Sequence, residues 1–385
     1  MTQIAAALRD AGFCRPDYGG LCLDGVLPAA AAALGVEVDG GAAARERLGV
    51  PTGQRVCVVL VDGLGQLMLT ERVGHAPFLR GLLDRGLVLT SGYPSTTAAS
   101  LGLFGTGCAP GRTGLTGYTV RNPATGGLAN LVSWTGAGPA AQWQREPSIF
   151  ALVAGAGGAV TTVGPAKFAG SGLTAAALSG GDYRAADGLD ARVDLAVRAL
   201  TRPGLVYLYW GAVDKVGHGA GWQSNAWADA LAETDRELAR LARSLPAGTV
   251  LMITADHGMV DVDHEQLVDV ALTPALAADV ELIAGEPRAT HVHVAPGAAA
   301  DVLERWRATL GDRAMVVPRE EAVAAGWFGP VRDHVLPMIG DLVVAARGRA
   351  GVVDSRTQTA HSLRLRGMHG SLTPGEMLVP LLLVA

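Results

Sequence analysis

The run Val56-Cys57-Val58-Val59-Leu60-Val61, broken at Asp62-Gly63, limits how this chain folds more than any other feature. Continuous apolar, β-branched sequence without polar alternation suits a strand buried on both faces, and such strands belong to sheets covered by helices on each side. Similar runs recur at 87–90, 159–163, 205–210 and 250–254, with helical stretches at 187–201 and 222–244. In the second stretch Leu231, Leu238 and Leu241 give a partial apolar face, and Pro246 and Gly248 close it. Strands alternating with helices predict an α/β fold with a central, mainly parallel sheet flanked by helices.

The 385 residues suffice for one large α/β domain with an insertion, or for two domains. Residues 1–50 read as an N-terminal extension packed on the core, with GAAARERLGV as a short helix ending before Pro51. Residues 51–264 and 351–385 read as the core. Residues 265–350, with the segments ATHVHV, DVLERWRATL and RAMVVPREEAVAAGW, read as a smaller inserted α/β lobe.

Composition narrows the function. Apolar residues make up 49% and charged residues 17%, which favours a large core over disorder. The net charge of -5, without a basic stripe, argues against nucleic acid as a bulk partner. The most apolar segments are too short to cross a bilayer. The opening residues lack a basic start followed by an apolar run, so no signal peptide is expected and a cytoplasmic location is. Four cysteines (Cys14, Cys22, Cys57, Cys108) are too few and scattered for a disulfide scaffold, and Cys57 reads as a buried thiol.

The chemistry concentrates where the apolar runs end. Asp62 emerges at a strand's C-terminal edge, where open α/β sheets place ligands; the competing role is a turn cap. In SGYPSTTAASLGLFGTG, Ser95, Thr96 and Thr97 offer hydroxyls at a helix start, whose free amides favour an anion but which Ser and Thr also cap routinely. Asp214 and His218 are four apart, so one helical turn puts both on one face. Asp256 and His257 follow the run VLMIT, and His369 stands between glycines in GMHG. Oxygen and imidazole donors together suit zinc or manganese. Each piece alone has a structural reading; six candidate ligands at one sheet edge point to metal chemistry.

The motif order DG, YPSTT, DKVGH, ADHG, GMHG resembles the alkaline phosphatase superfamily, and within it the type I phosphodiesterase/nucleotide pyrophosphatase branch. The resemblance spans about 56–264 and 367–383. It implies two divalent metal ions, most often Zn2+ with Mn2+ also used, and Thr97 as nucleophile. It further implies one metal held by Asp214, His218 and His369, and the other by Asp62, Asp256, His257 and the Thr97 hydroxyl. The implied activity is hydrolysis of phosphodiester or pyrophosphate bonds in a small phosphorylated, nucleotide-like substrate through a phospho-threonine; the alternatives are a phosphomonoesterase or a phosphonate hydrolase.

The chain departs from that pattern beside the nucleophile. Ala98-Ala99-Ser100 stands where Phe-Pro-Asn is common and Thr96 where Lys is common, so either Ser100 donates one weaker hydrogen bond to a phosphoryl oxygen or that role is absent. A metal-binding module without turnover is the other class of function, disfavoured by the hydroxyl at Thr97. In the inserted lobe Arg288 reads either as a phosphate contact or as part of a solvated turn before a strand with His291 and His293. Trp134 and Trp143 read either as base-stacking groups or as core anchors. Arg112, Arg121, Lys167 and Lys215 are the cations nearest the motifs, and His264 and His361 lack ligand spacing.

Overall fold

A computed structural model describes residues 12–384; the first residues of the opening segment lie outside the described residues. The main sheet has seven strands in the order Leu87–Thr90, Leu378–Val384, Thr249–Thr254, Arg55–Val61, Gly204–Trp210, Val160–Gly164, Asp182–Ala185. From Thr249–Thr254 to Asp182–Ala185 all pairings are parallel, and Leu378–Val384 runs antiparallel to both its neighbours. Val56 to Val61 are fully buried, as their unbroken apolar sequence requires. Helices Leu189–Ala199 and Asn225–Ser244 pack on the sheet, the second starting where Ser224 Oγ accepts the amide of Trp227. GAAARER forms a helix at Gly41–Arg47. Among the described residues no helix is long and apolar enough to cross a membrane.

A second, antiparallel sheet has six strands in the order Ala314–Pro318, Leu342–Ala346, Ala289–Val294, Val280–Glu286, Thr119–Arg121, Leu128–Asn130. Its last two strands come from the segment after helix Thr97–Thr106, far earlier in sequence than the rest. Gly285 pairs with Thr119, so this lobe is stitched to the core on the side where the strand ends lie.

Arg288 is neither a phosphate contact nor part of a solvated turn. It is fully buried, and its Nε and Nη2 donate to the two carboxylate oxygens of Glu376 at 3.0 and 2.8 Å. Nη1 donates to the carbonyl of Ala350. Glu376 also accepts the amide of Ser371 at 3.0 Å and the hydroxyl of Thr373 at 2.5 Å. The pair thus clamps the lobe to the segment that ends the core. His291 and His293 are buried too, and burial pushes both imidazoles down to about 3, so they are neutral in the sheet. Breaking a dry, bidentate pair strands the partner charge, so Arg288→Ala should cost about 3–5 kcal/mol of stability. Urea unfolding measures this; a loss below about 1 kcal/mol would mean that Glu376 does not depend on its partner.

Candidate active site

Each candidate residue arrives from a strand end or the turn beyond it. Asp62 follows Arg55–Val61, and Asp256 and His257 follow Thr249–Thr254. Asp214 and His218 lie on helix Ala212–Ala220, after Gly204–Trp210. The short strand Gly367–Met368 pairs with Val260–Asp261 and delivers His369 to the same edge. The turn at Asp62-Gly63 needs glycine, because its φ is +73° and a Cβ there would stand 2.8 Å from the Cβ of Asp214.

The donor atoms converge. Asp62 Oδ1 and Asp256 Oδ2 lie 3.4 and 3.5 Å from His257 Nε2. Asp214 Oδ2 lies 3.3 Å from His218 Nε2, and its Oδ1 lies 3.8 Å from His369 Nε2. Among the described residues two groups have ligand atoms all within 4.8 Å of one another: Asp62, Asp256, His257, and Asp214, His257, His369. His257 is common to both, and its ring stacks on that of His369 with centroids 3.6 Å apart. His218 stands outside the tighter set, on the other oxygen of Asp214.

Each imidazole is oriented in the same way. Nδ1 of His218, His257 and His369 donates to the carbonyls of Gly367, Gly258 and Ser95 at 2.7, 2.9 and 3.0 Å. That leaves every Nε2 with a lone pair, the tautomer a metal ligand needs. Asp62 Oδ1, Asp214 Oδ1 and Asp256 Oδ2 are buried without hydrogen-bond partners. Burial, then the charges of Asp256 and Asp214, pushes Asp62 well above the usual carboxylate range, and burial raises Asp256. Burial and the two neighbouring imidazoles hold His369 well below the usual imidazole range. Orphaned carboxylate oxygens facing imidazole Nε2 atoms fit divalent cations, in two adjoining groups.

Of the three hydroxyls after Pro94, Thr97 alone is not buried. It opens helix Thr97–Thr106, and its Oγ1 lies 3.2 Å from His257 Nε2. Ser95 does not cap this helix: its Oγ donates to the carbonyl of Ser371 at 2.7 Å. Thr96 occupies the cap position without a side-chain cap bond. Ser100 does not reach the site either; it is buried, 3.0 Å from Ser91 Oγ.

A cavity of about 840 Å³ opens over these groups, lined among others by Asp62, Thr97, Asp214, His218 and His369. Lys215 is its one lining lysine or arginine among the described residues. Arg112 and Arg121 pair with Glu146 and Glu281, and Lys167 lies over the Phe168 ring. The tryptophans are anchors beyond its walls: Trp143 Nε1 donates to Gly114 O at 2.9 Å, and Trp134 Nε1 to Gly138 O at 2.7 Å. His361 is an exposed part of the lining, within the 354–365 stretch that borders the cavity.

Two lining residues escaped the sequence reading. Tyr209 donates its hydroxyl to Asp62 Oδ2 at 2.5 Å, which turns Oδ1 toward His257. Strand alternation after the run 205–210 gives no sign of this contact. Glu286, at the end of a lobe strand, accepts the Tyr118 amide on Oε2 at 2.7 Å. Burial, and secondarily Glu376, pushes its carboxyl up to about 8.

A helix-flanked parallel sheet with a hydroxyl and two cation-fitting carboxylate and imidazole groups at its ligand edge defines a metal-dependent hydrolase of the alkaline phosphatase superfamily. The sequence model of the type I phosphodiesterase/nucleotide pyrophosphatase family matches residues 56–372, and the chain belongs to that family. No curated protein matches it. Among solved structures, murine ectonucleotide pyrophosphatase/phosphodiesterase 5 superposes with a TM-score of 0.69 at 17% identity, over 85% of this chain and 87% of that one. The human protein of the same name gives 0.67 at 18%, over 86% and 87%. Phosphonoacetate hydrolase from Sinorhizobium meliloti, in complex with phosphonoformate, gives 0.67 at 20%, over 87% and 91%. These three share the fold.

The raised carboxyl of Glu286 makes a stability prediction. The folded chain keeps a proton that the unfolded chain releases above about 4.5, so stability is lost as pH rises from there to about 8. Glu286→Gln removes that slope, which approaches about 1.4 kcal/mol per pH unit. Urea unfolding of both chelator-treated proteins between pH 5 and 9 reads the difference; a gap that stays constant with pH would show that Glu286 titrates normally.

Proposed function

We propose that the chain hydrolyses phosphodiester or pyrophosphate bonds in a small organic substrate, with Thr97 as nucleophile. The observation carrying this reading is the 3.2 Å approach of Thr97 Oγ1 to His257 Nε2, the imidazole common to both ligand groups. Asp62, Asp256 and His257, with the Thr97 hydroxyl, would hold one cation; Asp214, His218 and His369 would hold the other. Zinc fits the mixed imidazole and carboxylate donors best, with manganese second. When bound, such ions lower the pKa of the attacking hydroxyl and offset charge on the leaving oxygen.

The chain's own residues supply the rest. Helix Thr97–Thr106 fixes the hydroxyl at its first turn, where unpaired amides favour an anion. Thr97 Oγ1 bonds to phosphorus as the leaving oxygen departs, and water then cleaves the phospho-threonine and restores the hydroxyl. Two features favour a diester over a monoester. Lys215 is the one lining cation among the described residues, where a dianion calls for an arginine clamp. The cavity is also roomy, about 840 Å³, and lined both by apolar residues such as Leu101, Phe168 and Leu173 and by polar ones such as Thr357, Gln358 and Ser362. A diester has two substituents to place there; a monoester has one.

Chromogenic phosphodiester and phosphomonoester substrates, with and without chelator, test this. Faster turnover of the diester, abolished by chelator, is expected; metal-independent turnover or a monoester preference would sink the reading. Thr97→Ala should lose roughly three or more orders of magnitude in rate, and a trapped slow substrate should leave phosphate on the Thr97 peptide by mass spectrometry. Phosphate on Ser95 or Thr96 would move the nucleophile. Elemental analysis of His369→Ala should find about one ion fewer per chain than in the parent; unchanged metal content would remove His369 from the ligands.

A further inference from the structure

The two carboxylates of the first ligand group each have one oxygen already engaged. Asp256 Oδ1 accepts the amides of Gly63 and His257 at 3.1 and 3.0 Å, and Asp62 Oδ2 accepts the Tyr209 hydroxyl at 2.5 Å. Their other oxygens, Asp62 Oδ1 and Asp256 Oδ2, are buried without partners and face His257 Nε2. Asp214, in the second group, is held differently. Among the described residues no donor engages its Oδ1, and its Oδ2 faces His218 Nε2.

The Tyr209 hydroxyl has a place made for it. Strands Arg55–Val61 and Gly204–Trp210 pair in parallel with Leu60 opposite Tyr209, and the Asp62 amide donates to Trp210 O at 2.8 Å. One strand therefore holds Asp62 by both backbone and side chain. The Tyr209 ring stands edge-on to Phe168, with centroids 5.6 Å apart. Gly211 leaves the room: a Cβ there would stand 2.6 Å from the Tyr209 hydroxyl oxygen. Its φ of -116° is open to any residue, so space rather than backbone freedom calls for glycine. Such pairing is not automatic on this strand. Tyr207, two residues earlier on the same face, is buried with its hydroxyl unpartnered.

We infer that Tyr209 is a positioning residue that sets the metal preference of the Asp62 group: by holding Oδ2 it leaves Asp62 one oxygen to offer, which favours zinc over manganese. This rests on the metal-binding part of the proposed function. Asp62 Oδ1, Asp256 Oδ2, His257 Nε2 and the Thr97 hydroxyl make four donors, the number that zinc takes. Manganese prefers a six-fold shell of oxygens. Without the hydroxyl, Asp62 is free to turn and present both oxygens. Zinc then loses an oriented ligand and gains nothing, whereas manganese gains an oxygen that offsets the loss. Asp214 carries no such restraint, so the second group should not respond to Tyr209.

The test measures zinc and manganese binding to the full-length protein, by competition with a metallochromic chelator, in the parent and two variants. Tyr209→Phe keeps the ring beside Phe168 and removes the hydroxyl. Gly211→Ala keeps the hydroxyl and pushes it off Asp62. In both, the zinc dissociation constant of one site should rise about ten- to a hundredfold, its manganese constant should change little, and the other site should keep its constants. Equal weakening of both metals, as a merely structural contact would give, overturns the inference in either folded variant, and so does unchanged zinc binding. If neither variant folds, the parent decides: its two sites must differ in zinc-to-manganese preference, and equal preferences overturn the inference. A protein that shows these responses but cleaves no phosphoester would sink the hydrolase reading and leave the inference standing. A parent that binds neither metal would sink both.

Discussion

Asp62, Asp214 and Asp256 each keep a carboxylate oxygen buried and without a hydrogen-bond partner, at one edge of one sheet. No lysine or arginine among the described residues pairs with any of them. The effective cost of an uncompensated buried ion is several kcal/mol, so a fold that gathers three must hold them by force from elsewhere. The force comes from strands 55–61, 204–210 and 249–254, which are paired in parallel along almost their whole length and buried on both faces. Such a sheet cannot splay to let the carboxylates part without exposing its core. Cation affinity follows from that rigidity: the charges cannot move away from one another, so they are relieved by protons or by metal.

The position of Thr97 depends on the same cluster through one residue, Ser95. Its carbonyl accepts from His369 Nδ1, its amide donates to Gly370 O at 3.0 Å, and its hydroxyl donates to Ser371 O. Ser95 is therefore zipped to the segment that carries His369, two residues before Thr97. The helix start and the imidazole cannot shift independently. Its hydroxyl is spent on this zipper, which is why it is not free to cap the helix.

The fold was legible because its strands advertise themselves. Unbroken apolar runs such as 56–61 have few alternatives to a doubly covered strand, and the residues following them are forced to the sheet edge. Asp62, Asp214, His218, Asp256 and His257 could be brought together on that logic, His369 entered through its flanking glycines, and the role proposed for Thr97 needed the family motif order. What was not legible depends on partners distant in sequence. Arg288 looked like a surface cation because the carboxylate that pairs with it, Glu376, is 88 residues away. The strands at 119–121 and 128–130 are three residues each, too short for periodicity to register, and they exist because Val280–Glu286 offers them an edge. Tyr209 reads as one more apolar residue in a buried strand until its hydroxyl is seen on Asp62.

Where the positive charge goes has consequences for the cavity. The lobe carries a guanidinium within a few residues of the wall, and a cation there would tighten any dianion. Instead Arg288 is turned away and consumed by Glu376, holding the lobe on the core. Burial, and secondarily Glu376, pushes the nearby Glu286 carboxyl up to about 8. One buried pair thus sets two properties at once. It fixes the lobe against the segment carrying His369, and it keeps the guanidinium's charge out of the cavity wall. Under the proposed activity, discrimination between singly and doubly charged phosphoryl groups would then fall to the cluster of carboxylates and imidazoles and the ions it would hold.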